Sequence, residues 1–137
     1  MKKIISIITA SMLCSCGFMT PVNQYAGDRQ DVKAIAVIQS YVENPLADEY
    51  HATITSYTKT ESSGVKETKK FGLPGFTDYA SKIYVLPGEF EVNIYCFKGF
   101  TSYRPKVKLA LQAGQTYLLN CDVLQGQAFI KVQVNPT

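Results

Sequence analysis

Hydrophobic positions after residue 32 recur with a period of two, which is typical of β-strands with one buried face. The clearest run is FEVNIYCF (90–97), whose predicted inward side chains are Phe90, Val92, Ile94 and Cys96. Three later runs, KVKLAL (106–111), TYLLNCDV (116–123) and AFIKVQV (128–134), continue the alternation. No segment of comparable length repeats hydrophobic positions at helical spacing, so we predict an all-β protein.

Three earlier segments also have the composition of strands, and turn residues separate most of them. They are KAIAVIQSY (33–41), which is apolar enough to be buried on both faces, HATITSYT (51–58) and SKIYVL (81–86). Pro87-Gly88 fits the centre of a type II turn, and Gly114 and Gly126 occupy the next two gaps. About seven strands with turn residues about a dozen positions apart predict a single antiparallel β-sandwich over residues 33–137.

The N-terminus has the layout of an export signal. Lys2 and Lys3 precede an apolar run from Ile4 to Leu13, and small residues follow it. A membrane-spanning helix needs about twenty apolar residues, so a run half that long is too short for a permanent span. We therefore predict that residues 1–15 form a cleaved signal peptide.

The signal ends in Leu13-Cys14-Ser15-Cys16, which resembles the lipobox of bacterial lipoproteins with Cys16 as the acceptor. The resemblance implies a covalent diacylglycerol on the Cys16 thiol, cleavage before Cys16 and an acyl chain on the new amine, with no other cofactor. In the enteric sorting rule, an Asp after the lipidated Cys retains a lipoprotein in the inner membrane. Because Gly17 follows Cys16, the outer membrane is favoured, with the domain facing the periplasm. The alternative is an ordinary signal that leaves a free thiol, which would be open to disulfide exchange in an oxidising compartment.

Residues 16–32 are polar and mixed, without strand or helix periodicity, and are predicted to be a flexible tether after the lipidated Cys. Removal of Lys2 and Lys3 with the signal lowers the formal net charge from +3 to +1. A near-neutral domain is a poor nucleic-acid binder, because such binding requires several phosphates to be neutralised. The one basic cluster, KETKK (66–70), follows a turn-like stretch and is predicted to be a solvated hairpin or loop.

The region 86–123 contains a second recognisable pattern of turn and core residues. It consists of Pro87, Gly88, Phe90, Val92, Gly99, Phe100, Val107, Leu109, Gly114, Tyr117 and Leu119. This pattern resembles PEGA-type and transthyretin-like β-sandwich modules, and it is similar to that of small proteobacterial lipoproteins. The resemblance implies an immunoglobulin-like or transthyretin-like sandwich in the cell envelope, and it implies no reaction.

Cys96 and Cys121 both lie on the predicted inward side of their strands. Thiols of an exported protein tend to oxidise, and we favour a disulfide between these two. Such a bridge would stabilise the domain by roughly 3 kcal/mol in the chain-entropy model. The alternative is a pair of buried, reduced thiols that pack as small hydrophobic side chains.

The sequence offers little for catalysis or metal binding. His51 is the only histidine, so a catalytic triad or a zinc site would depend on it, and no G-x-S-x-G segment is present. Glu43, Asp48 and Glu49 form a small acidic cluster without the ligand spacing of a calcium loop. We therefore predict no metal site and no enzymatic activity.

Aromatic residues provide the candidate binding site. The chain has nine Tyr and seven Phe, and the segment CFKGFTSYRP (96–105) mixes aromatic and cationic side chains, as protein interfaces do. The candidate binding loop consists of Phe97, Lys98, Phe100, Tyr103 and Arg104. The alternative role for such side chains is to cover an open end of the sandwich.

These observations predict a non-enzymatic outer-membrane lipoprotein whose sandwich binds or scaffolds another envelope protein, as an accessory part of a secretion or envelope assembly. Two alternatives remain at this point. The first is a periplasmic inhibitor of a hydrolase such as lysozyme, although a basic enzyme would call for a more acidic inhibitor. The second is a ligand-binding lipoprotein.

Overall fold

The computed structural model describes residues 22–25, 30–40, 49–71 and 80–137, so the predicted signal peptide and Cys16 lie outside the described residues. The described residues contain ten strands and no helix. In chain order the strands are β1 (Val22–Asn23), β2 (Ala36–Ser40), β3 (His51–Thr60), β4 (Lys66–Lys70), β5 (Lys82–Val85), β6 (Gly88–Lys98), β7 (Thr101–Tyr103), β8 (Lys106–Leu111), β9 (Gln115–Leu124) and β10 (Gln127–Pro136). A search of these residues for a helix long and apolar enough to cross a membrane found none.

The strands form two sheets that pack face to face, which confirms the predicted β-sandwich. Sheet A has the order β1-β5-β2-β9-β10, and sheet B has the order β4-β3-β6, with both β7 and β8 on the far side of β6. Two pairings, β1 with β5 and β2 with β9, are parallel, so the sheets are not purely antiparallel as predicted. If β2 is counted as the first strand of the sandwich, the second and third are β3 and β4, which are neighbours in sheet B. In immunoglobulin domains the second and third strands lie in opposite sheets.

The core lies between the sheets and contains the side chains that the alternation placed there. Phe90, Val92, Ile94 and Cys96 of β6 are all at most 3% exposed. β2 is buried on both faces, as predicted, because the alternate side chains Ile35 and Val37 pack in a second, smaller cluster on the outer face of sheet A. On β10, by contrast, Val132 and Val134 are 36% and 50% exposed. They share the inward face, but β10 is an edge strand and is only partly covered by sheet B.

Seven of the ten strands coincide with the predicted segments, and three do not. β4 was predicted as a solvated hairpin or loop, and it is the fully exposed outer strand of a hairpin with β3. Because both faces of this strand are exposed, it has no hydrophobic alternation, and its lysines discourage pairing with other chains at the sheet edge. β1 and β7 have only two and three residues, too few to show a period.

The connections explain where the turn residues lie. Pro87-Gly88 does not form a hairpin, because it carries the chain from β5 in sheet A to β6 in sheet B. Gly88 has a φ of 151°, away from the value near +80° that a type II turn requires. Gln125 and Gly126 have φ values of 51° and 75°, and these two residues form the tight β9–β10 hairpin of the type that needs positive φ at both positions.

Residues 22–25 belong to the sandwich, which corrects the prediction that all of residues 16–32 are a flexible tether. β1 pairs with β5, and the backbone N–H of Gln24 donates a 2.9 Å hydrogen bond to the carbonyl of Tyr84. The Tyr57 hydroxyl, which lies in sheet B, donates a 3.2 Å hydrogen bond to Oε1 of Gln24. Tyr25 packs against the outer cluster of sheet A. Residues 22–25 are therefore not part of the predicted tether.

Tyr57 should give the fold a measurable pH dependence. Burial, and to a lesser degree the carboxylate of Glu67, raises the pKa of the Tyr57 phenol from 10.0 to about 12. The unfolded chain therefore ionises at lower pH than the folded one, so this contribution to stability is complete below pH 10.0 and is lost as the pH rises toward about 12. We expect urea titrations across this range to show a smaller loss of stability for Tyr57→Phe than for the unchanged protein. Identical pH profiles for the two proteins would contradict this prediction.

Candidate functional site

The candidate binding loop is the hairpin between β6 and β7. Lys98 pairs with Thr101, so the turn consists of Gly99 and Phe100, and Gly99 has the positive φ of 57° that such a turn favours. The predicted residues therefore lie on a tight hairpin at one end of the sandwich. Their side chains nevertheless point in three different directions.

The first group lies on the outer face of sheet B. Phe97 is opposite His51 in the register of β6 and β3, and their ring centroids are 5.2 Å apart. Tyr95, two positions before Phe97, lies on the same face, and its ring stacks on that of Phe97 at 5.4 Å. The guanidinium of Arg104 lies 5.2 Å from the centre of the Tyr95 ring. His51, Tyr95 and Phe97 form a continuous half-buried surface, which we call the aromatic row.

The second group lies on the opposite side of the hairpin and covers the end of the core. Tyr103 is opposite Cys96 in the register and packs against the core, and its ring lies 5.9 Å from that of Tyr50. The ammonium group of Lys98 lies 5.8 Å from the centre of the Tyr50 ring. Cation–π contacts at such partly exposed positions stabilise by about 0.5–1 kcal/mol. This group fulfils the alternative role of covering an open end of the sandwich.

The third environment contains Phe100 alone. Its side chain is 111% exposed at the tip of the hairpin, more than in an extended reference peptide. The five predicted residues therefore do not form one site. Sequence reasoning also missed Tyr50, His51 and Tyr95, which complete the first two groups. The register between β3 and β6 brings His51 to Phe97, and a single strand pattern does not reveal a register.

The remaining outer face of sheet B is basic. Side chains on this face alternate along β4 and β8, and the cations on it are Lys66, Lys70, Arg104, Lys106 and Lys108, all exposed. Two carboxylates, Glu89 and Glu91, lie among them, and Glu91 is 3.9 Å from the ammonium group of Lys106. A shallow depression of about 420 Å³ lies near the start of β6, away from the aromatic row. Thr58, Thr60, Lys66, Glu89, Glu91 and Lys108 contribute to its lining.

The predicted disulfide between Cys96 and Cys121 is present, with 5.9 Å between the Cα atoms. It joins β6 in sheet B to β9 in sheet A across the core. Cys96 is fully buried, and Cys121 is partly buried against the same cluster. The bridge therefore holds the two sheets together directly beneath the aromatic row.

The described residues contain no group of three or more His, Cys, Asp or Glu side chains that could hold a metal ion. The ring of His51 contacts that of Phe97. Of the acidic cluster in the sequence, Glu49 is described and exposed, whereas Glu43 and Asp48 lie outside the described residues. Every buried side-chain polar atom in the described part of the chain has a hydrogen-bond partner.

Comparisons of the whole chain with protein-family models, with curated proteins and with solved structures returned no match.

Proposed function

We propose that this protein is a non-enzymatic lipoprotein, anchored through acylated Cys16 in the outer membrane and facing the periplasm, whose sandwich binds an acidic surface of another envelope protein. The proposed binding surface is the outer face of sheet B, with the aromatic row at the end nearest the β6–β7 turn. The observation that carries the proposal is the combination of this row with five exposed cations on one sheet face.

The two outer faces of the sandwich differ in a way that supports this choice. On sheet A, Tyr25 and Leu86 pack over the buried side chains of Ile35, Val37 and Tyr84, so that part of the face is covered. The β9–β10 part carries one half-buried ring, that of Phe129 beside Lys131. On sheet B, the rings of the aromatic row remain half exposed. Aromatic and arginine side chains contribute most of the energy at many interfaces, because they bury large rigid surfaces.

Charge indicates the kind of partner. Five cations and two carboxylates leave this face positive, although the domain as a whole is close to neutral. Complementary charge speeds association and excludes partners of like sign. An inhibitor of a basic hydrolase would need the opposite sign, so this face favours an acidic partner over the inhibitor alternative.

The proposal can be tested by crosslinking the acylated protein in intact cells and identifying captured proteins by mass spectrometry. We expect one stoichiometric partner, and we expect Phe97→Ala with Arg104→Glu to weaken its binding by at least about tenfold, as loss of central interface residues does. Gln133→Ala, an exposed change on the outer face of sheet A, is the matched control and should bind normally.

The binding measurements decide between the two sheet faces. Unchanged affinity in the sheet B variant, with loss of affinity in the Gln133 variant, would place the interface on sheet A and overturn the proposal. Capture of abundant porins and lipoproteins alone would also contradict it, because these proteins are captured in proportion to their abundance.

A further inference from the structure

The turn of the β6–β7 hairpin and the turn of the β9–β10 hairpin lie at the same end of the sandwich. The disulfide joins Cys96, near the end of β6, to Cys121, near the end of β9. At the opposite end, the Tyr117 hydroxyl near the start of β9 donates a hydrogen bond to the carbonyl of Ala110, which pairs with Glu89 near the start of β6. β6 and β9 therefore run in the same direction, and we call the end they run toward the hairpin end.

The N-terminal end of β1 points toward this hairpin end. β2 is parallel to β9, β5 is antiparallel to β2, and β1 is parallel to β5. β1 itself therefore runs away from the hairpin end, so the direction from Asn23 back to Val22 is toward it. A connection that keeps this direction would run along the edge of sheet A toward the hairpin end.

The distance to the lipidated residue is short. Only the five residues 17–21 separate Cys16 from Val22, and six Cα–Cα steps span at most about 20 Å. Val22 is level with Tyr117 through Ile83 and Ile38, and Leu124 lies seven residues farther along β9, or about 23 Å. Acyl chains on Cys16 are therefore held close to the domain. A connection extended in this direction would bring them almost level with the hairpin end.

The hairpin end exposes the apolar side chains that a lipid surface would accept. Phe100 at the β6–β7 tip is 111% exposed, and Leu124 at the β9–β10 hairpin is 64% exposed. Toward the opposite end the exposed apolar side chains are smaller: Val65 of the β3–β4 turn is 62% exposed, Val134 of β10 50% and Val32, before β2, 38%. The gain from burying an apolar side chain grows with its apolar area, so the two larger side chains at the hairpin end each add more to membrane contact.

We propose that the hairpin end lies against the membrane surface, with Phe100 and Leu124 inserted among the phospholipid headgroups. This inference rests on the acylation of Cys16 in the proposed function. It deepens that function because it turns the outer face of sheet B to the side, where a partner in the periplasm can reach it. With the anchor, the two hairpin tips give the domain three points of contact with the membrane, which restrict its rotation.

The test uses the absence of tryptophan from the sequence, which makes a single introduced tryptophan an unambiguous reporter. Phe100→Trp and Leu124→Trp each place it at the hairpin end, and Val65→Trp places it at the opposite end as the matched control. Each acylated variant is incorporated into vesicles of phosphatidylethanolamine and phosphatidylglycerol that carry brominated acyl chains. We expect the tryptophans at 100 and 124 to lose most of their emission and shift to the blue, and the tryptophan at 65 to do neither.

Acylation is established separately, by the intact mass of the purified protein, so the two proposals fail in different ways. A mass without acyl chains would overturn the proposed anchor, whatever the fluorescence shows. Acylated protein with unquenched tryptophans at 100 and 124 would overturn the orientation and leave the anchor standing, as would stronger quenching at 65. Two reporters on separate hairpins keep the test decisive if one substitution disturbs folding.

Discussion

Replacement of both Cys96 and Cys121 by alanine is expected to lower the free energy of unfolding by about 3 kcal/mol. The two residues are 25 positions apart in the sequence, and the bridge between them restricts the unfolded chain across that loop. The change leaves a small loss of packing at the fully buried Cys96 position, which adds to the effect. For a domain whose total stability is about 5–15 kcal/mol, this is a large share.

Urea titration of the double variant and of the unchanged protein measures the effect, and thermal melting should show a decrease of roughly 10–20 °C for a domain of this size. Reduction of the unchanged protein with dithiothreitol is the matched control, because it opens the same loop without changing the sequence. It should reproduce most of the loss. A double variant as stable as the oxidised protein would show that the bridge does not restrict the unfolded chain, and the prediction would be wrong.

The hydrophobic alternation predicted which side chains of a strand are buried, because that depends on the geometry of the single strand. In β6 the alternate positions Phe90 to Cys96 are buried because each faces the opposite sheet, and period two follows from the geometry of the strand itself. The pairing of strands is a different kind of information. The parallel neighbours β2 and β9 are far apart in the sequence, and nothing in either pattern specifies their register.

The candidate site was predictable to the same extent. Its composition identified the β6–β7 hairpin, because aromatic and cationic residues clustered in one short segment. The division of that segment into three environments depends on the alternation along β6, which places Phe97 on the outer face and Lys98 at the end of the core, and on the two-residue turn that exposes Phe100. His51 could be found only through its register with Phe97, forty-six positions later in the chain.

The predicted N-terminal boundary of the domain, at residue 33, differs most from the structure, and the difference matters for the proposed anchor. Residues 22–25 showed no hydrophobic period because the strand has only two residues, too few to alternate, and Tyr25 packs on an outer face. The hydrogen bond from Tyr57 to Gln24 nevertheless ties this segment to sheet B. A boundary set by composition would place the lipid well away from the domain, whereas the structure leaves only five residues between Cys16 and β1.

Cys16→Ser is expected to abolish the proposed membrane anchor. The substitution removes the thiol that would carry the diacylglycerol, and without it the precursor would not be cleaved or acylated on its amine. One acyl chain gives only marginal membrane binding and two or more give stable binding, so loss of all of them should release the protein almost completely. The remaining apolar run, from Ile4 to Leu13, is about half the length that a spanning helix requires.

Cys14→Ser is the matched control, because it changes a cysteine two positions away and keeps a small residue inside the lipobox. Cells labelled with radioactive palmitate and fractionated on a density gradient should show label and protein together in the outer membrane for the Cys14 variant, and neither there for the Cys16 variant. The reverse result would make Cys14 the acceptor and would lengthen the connection to β1 by two residues. Retention of both variants without label would instead mean that the sandwich is held by a protein partner, and the contacts proposed for Phe100 and Leu124 would lose their basis.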